Sequence, residues 1–175
     1  MSAKIIFDKN NKKYKLTTEL TDEFLNQMIA AAHTDQQIID QTSDSKRFSS
    51  LASTLEWLRK AKKYFFVLSP IKNQTNLTGI IWFENLDLPP TLKNKYPNSD
   101  WTFGIRIYQP YRSQGLALPF MKIAFQNLTK ILPNKQIWLS THLSNQVAAG
   151  LYQKFGFKKI GETNNKAYFI FQNKT

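Results

Sequence analysis

The sequence contains no cysteine and only two histidines, His33 and His142. That excludes disulfides, thiolate zinc sites, a cysteine nucleophile and a histidine-rich metal cage, so no metal is expected. No apolar run approaches the ~20 residues of a membrane helix; YFFVL and GIIWF have the length of buried strands. The opening MSAKIIFDKNNKKYK is interrupted by Asp8 and does not form a secretory h-region. These absences point to the cytoplasm and to no membrane partner. Glycine is sparse too: all six lie at residue 79 or later, so backbone-defined chemistry is expected in the second half. Dinucleotide and hydrolase signatures are missing, with no GxGxxG and no GxSxG. GFKKIG has P-loop glycine spacing, but Glu162 follows it where a lysine is required.

What is there describes a packed domain. Its 175 residues are 42% hydrophobic and 14% aromatic, enough for one domain with its own core. Lys and Arg number 24 against 12 Asp and Glu, a net charge of +12 that attracts anions. Only four of the 24 are arginines, Arg47, Arg59, Arg106 and Arg112, which argues against a reader of base edges. No specific nucleic-acid partner is expected.

The hydrophobic pattern alternates in period. Residues 12–20 read as a strand, and Thr21 then caps a helix opened by Asp22 and Glu23. Residues 34–49 read as polar and irregular, with a short helix at DQQIID. A helix follows near 50–63, with Leu51, Leu55 and Leu58 on one face. Tyr64–Ser69 and Leu77–Asn85 form a hairpin, residues 86–100 a proline-rich loop, and Trp101–Tyr108 a strand. Leu116–Leu132 is an apolar helix, 136–142 a strand, and 145–155 a helix closed by Gly156. A second hairpin, turned by Asn164-Asn165, ends the chain. This order is a mixed α+β, α/β domain.

Chemistry concentrates in the strand–turn–helix from Ile105 to Ala117. Amides of a helix's first turn lack intrahelical partners and carry the positive end of the macrodipole, so a turn feeding them suits phosphate. Gly115 allows close backbone approach, Ala117 keeps the floor small, and Arg112 adds a permanent charge. Pro119 falls in the first helical turn, where a missing N–H costs little. Further on, Asn145 and Tyr152 stand two helical turns apart and share a face, while Gly150 inside that helix suggests a close contact.

Arg112-Ser113-Gln114-Gly115-Leu116-Ala117 resembles the RxxGxA acyl-CoA motif of the Gcn5-related N-acetyltransferase (GNAT) superfamily. Asn145 to Phe157 resembles that family's NxxAxxLYxxxGF motif, and the element order agrees. The resemblance implies one acetyltransferase domain over residues 1–175. Its sheet would be mixed and mostly antiparallel, with splayed middle strands and about four flanking helices. It implies acetyl-CoA as cosubstrate, with pyrophosphate on the amides of Arg112, Ser113, Gln114, Gly115, Leu116 and Ala117. Pantetheine would lie along Ile105 and Ile107, and Asn145 would help to hold it. It further implies direct attack by an amine on the thioester, with Tyr152 protonating the departing thiolate.

Some protein-acetylating members of the resembled family place a glutamate base at the position of Ser140, and a serine cannot serve as that base at neutral pH. His142, Glu84 and Asp100 are the remaining candidates, and none is singled out. The acceptor is a small amine, an amino acid, or a protein N-terminus or lysine. Asp35, Asp40 and Asp44 are candidates to hold its ammonium group. Alternatives are a CoA-binding domain without turnover and a basic nucleic-acid-binding module. Dimers are common in the resembled family, so a homodimer is compatible with the sequence without being demanded by it.

Overall fold

A computed structural model describes residues 4–172. Eight strands form one sheet in the order β1-β2-β3-β4-β5-β6-β8-β7. They are β1 (Lys4–Phe7), β2 (Lys13–Thr17), β3 (Lys63–Pro70), β4 (Gly79–Asn85), β5 (Trp101–Ile107), β6 (Gln136–His142), β7 (Lys158–Thr163) and β8 (Lys166–Gln172). All neighbours are antiparallel except β5 and β6, which are parallel. That pair is joined only at Trp101↔Ile137 and Thr102↔Trp138. Beyond those two positions the strands run on unpaired, so the middle of the sheet opens into a slot, as the resemblance implied.

Four longer helices and three short ones flank the sheet. They are α1 (Asp22–Thr34), α2 (Gln36–Gln41), α3 (Asp44–Arg47), α4 (Leu51–Lys60), α5 (Pro90–Lys93), α6 (Ala117–Ile131) and α7 (Gln146–Phe155). One face buries Phe24, Leu25 and Met28 of α1, Ile38 of α2 and Trp57 of α4 against Val67, Ile80 and Trp82. The other packs Phe120, Met121, Ala124 and Phe125 of α6 and Tyr152 of α7 against Phe66, Phe83 and Phe103.

Local signals account for most ends. The Thr21 side chain caps α1 by accepting the Phe24 amide, as expected. Gly156 closes α7 with φ 115°, its amide reaching the Tyr152 and Gln153 carbonyls. Asn164 and Asn165 both have positive φ, which matches the twist of the β7–β8 hairpin.

Three expectations are corrected. The short helix expected at DQQIID is α2, capped by Asp35 accepting the Ile38 amide, but the rest of residues 34–49 is not irregular, because α3 follows at Asp44–Arg47. Leu55 and Leu58 pack against the core as expected, but Leu51 is exposed, and the fully buried positions of α4 are Thr54 and Trp57, because Trp57 packs edge-on against Phe48, Phe65 and Trp82. Gly150 has open space where a Cβ would sit, so it answers no close contact. The N-terminal strand β1 has no counterpart in the sequence reading. It pairs on one side only and buries Ile6 alone, leaving Ile5 and Phe7 exposed.

Candidate active site

The slot between β5 and β6 opens a cavity of about 870 Å³. Its walls include Trp82 and Glu84 of β4, Phe103–Ile107 of β5, Ser140–His142 of β6, the turn before α6, and Asn145, Leu151 and Tyr152. Gly104 makes room at the fork: a Cβ there would fall 2.3 Å from the Trp82 ring.

Strand period fixes what β5 offers. The Tyr108 amide donates to Thr78 at the β4 side. Backbone direction alternates along a strand, so Arg106 turns its amide toward β4, while Ile105 and Ile107 turn theirs to the side that β6 has left. Both carbonyls on that open edge are taken, by Arg106 Nη1 at Ile105 and by Arg112 Nε at Ile107, each at 2.8 Å. The Ile105 and Ile107 N–H groups therefore line an unpaired strand edge.

The turn from Arg112 leads to a helix start with no side-chain cap, since its N-cap is Leu116. The first-turn amides of α6 are unspent donors at the positive end of a four-turn helix. Pro119, inside that turn, has none to offer. Ser113 and Gly115 have φ of 58° and 79°, left-handed positions of the kind found where successive amides line a concavity suited to an anion. A Cβ at Gly115 would meet only the Lys9 Cβ, at 4.0 Å, so conformation and not space calls for glycine. Gln114 faces away from the cavity. Its carbonyl accepts the Lys9 amide at 3.0 Å, and its Nε2 donates to the Pro110 carbonyl.

Tyr152 is buried against Phe103, Phe157 and Phe169, with its ring centroid about 6 Å from each of theirs. Burial pushes its hydroxyl pKa up, and nearby Arg106 opposes part of that rise. The phenol thus keeps its proton at neutral pH. Asn145 spends Oδ1 on the Ala148 amide, the cap of α7, and its Nδ2 has no partner among the described residues.

The acidic residues of the α1–α3 region do not form an ammonium site. Asp35 holds Arg112 in a two-pronged pair, Asp44 is shared between Arg106 and Arg47, and Asp40 is an exposed acceptor for Gln36. Two of the three carboxylates were thus already neutralised by arginines distant in sequence. Of the base candidates, Asp100 pairs with Lys135 and stands off the cavity wall. Glu84 pairs with Lys63 at 3.1 Å and lines the wall beside Ser140 and His142.

Sequence reasoning missed the weight of Arg47 and Arg106. A signal existed: arginine is scarce, and three of the four line this cavity. Among the described residues no group of His, Cys, Asp and Glu suits a metal ion, and no helix is long and apolar enough to cross a membrane.

Comparison with known proteins agrees with this architecture. An uncharacterized protein from Bacillus halodurans superposes with a TM-score of 0.73, over 97% of this chain and 90% of that one, at 16% identity. A spermidine N-acetyltransferase from Vibrio cholerae, solved with CoA and spermine, gives 0.66 over 90% and 92% at 17% identity. An N-alpha-acetyltransferase from Sulfurisphaera tokodaii is 27% identical over 78 residues, 45% of this chain and 44% of that protein. The matched region thus spans less than half of that curated relative. The acetyltransferase (GNAT) family matches residues 25–157, which contain the β5–β6 slot, the α6 turn and Tyr152, and the chain belongs to that family.

Proposed function

We propose that the protein is an acetyl-CoA-dependent amine N-acetyltransferase working in a ternary complex. The observation that carries this reading is the continuity of the cavity wall, from the uncapped start of α6, along the open edge of β5, to the buried hydroxyl-bearing Tyr152. A pyrophosphate suits the amides of the Arg112–Ala117 turn, where donors and helix dipole converge. Pantetheine, an extended amide chain, suits the Ile105 and Ile107 N–H groups as a strand would, and Asn145 Nδ2 is a further donor for it. The Arg112 guanidinium, committed to Asp35 and Ile107, shapes this turn from behind.

The amine nitrogen attacks the thioester carbonyl, a C–N bond forms, and the C–S bond breaks as the tetrahedral adduct collapses. Tyr152 gives its proton to the departing thiolate, the nitrogen's surplus proton leaves to water, and water returns a proton to the Tyr152 oxygen. Burial keeps the phenol protonated, so a proton is available at Tyr152 when the sulfur departs. The acceptor is an amine on a small molecule or on a protein N-terminus or lysine.

A melting scan with and without acetyl-CoA tests the cofactor. Ligand at 100 times Kd adds about 2.7 kcal/mol, roughly 5–10 °C for a chain of this size. Gly115→Glu, which sets a carboxylate in the phosphate turn, is expected to abolish the rise. For the chemistry, Tyr152→Phe is expected to lower kcat at least tenfold with acetyl-CoA binding retained; full turnover by that variant removes Tyr152 from the mechanism.

A further inference from the structure

The cavity wall carries four permanent cations, Arg47, Arg106, Arg112 and Lys166, against one carboxylate, Glu84. Glu84 is already paired with the buried Lys63. Arg112 is matched by Asp35, and Arg106 spends Nε and Nη2 on both oxygens of Asp44, at 2.6 and 2.9 Å. Asp44 is itself buried and, among the described residues, is the one carboxylate that hydrogen-bonds Arg47, whose Nη1 donates to it at 3.2 Å; Glu84 acts on Arg47 only from farther away and is held by Lys63. One carboxylate thus serves two guanidinium groups, and a full positive charge is left over.

That surplus sits on Arg47, and its geometry is fixed. The guanidinium carbon stands 5.6–5.8 Å from the ring centroids of Phe48, Trp57 and Trp82, so the plane is held on aromatic surfaces. Its Nε and Nη2 have no acceptor among the described residues, and the side chain keeps 28% of its exposure, on the cavity wall. A planar donor edge, held in place and left unspent, matches a carboxylate. A polycation would instead meet arginines with no uncommitted carboxylate among the described residues of the wall.

Resting on the transferase reading above, we infer that the acceptor is an amine that also carries a carboxylate, and that this carboxylate seats on Arg47. The anion neutralises the charge that Asp44 leaves unmatched, and it positions the amine on the α3–β4 wall of the cavity.

The test is a rate comparison with the full chain and acetyl-CoA, following thiol release and product mass. Matched pairs are used: α-amino acids against their amides, and a peptide with one acidic side chain against its amide form. Spermidine is included, and rates are expressed per neutral amine. The carboxylate member is expected to exceed its partner at least tenfold in kcat/KM, mainly through KM, as one charge-assisted pair allows. The amino-acid and peptide arms tell which source supplies the carboxylate. Arg47→Gln is expected to bring the ratio near one, with Arg47→Lys keeping part of it. The wild-type ratio decides even where a variant fails to fold. A wild-type ratio near one, or a preference for spermidine, overturns the inference while leaving the transferase reading intact. Release of thiol with none of these amines overturns both.

Discussion

Asp35 and Arg112 form a two-pronged pair, Nη1 to Oδ1 at 2.9 Å and Nη2 to Oδ2 at 2.6 Å, across 77 residues of sequence. Both side chains are largely buried, and Arg112 Nε is held at the same time by the Ile107 carbonyl. The start of α2 is thereby bolted to the turn that precedes α6 and to the open edge of β5. Asp35→Asn removes one member and leaves a largely buried guanidinium uncompensated, which costs about 2–3 kcal/mol. A fall of roughly 5–10 °C in Tm is expected. The double change Asp35→Ala with Arg112→Ala is expected to cost less than the sum of the single changes, and additive losses in that cycle contradict a direct pairing.

The same pair shows why part of the site was hidden in the sequence. The α6 turn, β6 and α7 were readable because each signal is local: an apolar period, Pro133 after a helix, Gly156 at a cap, and two motifs a fixed distance apart. The partners of Asp35 and Asp44 are set by topology, which brings Arg112 and Arg106 to them from 77 and 62 residues away. No periodicity in residues 34–49 carries that information, so Asp35, Asp40 and Asp44 stood as candidates to hold an ammonium group. Strand β1 was hidden for a different reason. As an edge strand it buries one side chain, and so lacks the alternation that marks a half-buried strand.

Gly104 sets the width of the fork between β5 and β6. A methyl group at this position cannot coexist with the Trp82 ring, whose atoms lie 2.3–2.8 Å from the Cβ site. Trp82 is held by Trp57 edge-on and by Arg106 at 5.0 Å, so its displacement disturbs the cavity wall. Gly104→Ala is expected to cost about 1–3 kcal/mol and to raise acceptor KM more than acetyl-CoA KM. Unchanged stability and kinetics would falsify the packing argument.

Alkaline pH is expected to weaken the fold through buried tyrosines. Burial and the carboxylate of Asp8 raise the Tyr14 pKa from 10.0 to about 12, and burial raises those of Tyr108 and Tyr152. Above pH 10 the unfolded chain has lost these protons and the folded chain keeps them, so stability falls as pH rises. The contribution is complete below pH 10, and the part due to Tyr14 is lost between 10 and about 12. Urea melts at about pH 9 and about pH 11 measure it, at roughly 1.4 kcal/mol per pH unit for each such tyrosine. Tyr14→Phe is expected to flatten that slope, and an unchanged slope removes Tyr14 from the account.

The β1–β2 turn supports the phosphate-suited turn from outside the cavity. Asp8 is buried, and its Oδ1 accepts the Asn10 and Lys12 amides at 2.8 and 2.9 Å, while Oδ2 accepts the Tyr14 hydroxyl at 3.1 Å. This knot fixes Lys9, whose amide donates to the Gln114 carbonyl one residue before Gly115. Asp8→Ala unties both turn amides and the tyrosine, so the 113–115 backbone loses its outer brace. Acetyl-CoA affinity is expected to drop several-fold, with kcat at saturation nearly unchanged because no reacting group has moved. An equal loss in kcat would place the hairpin in the catalytic step. A Kd matching the wild type would show that Ser113 and Gly115 hold the turn without it.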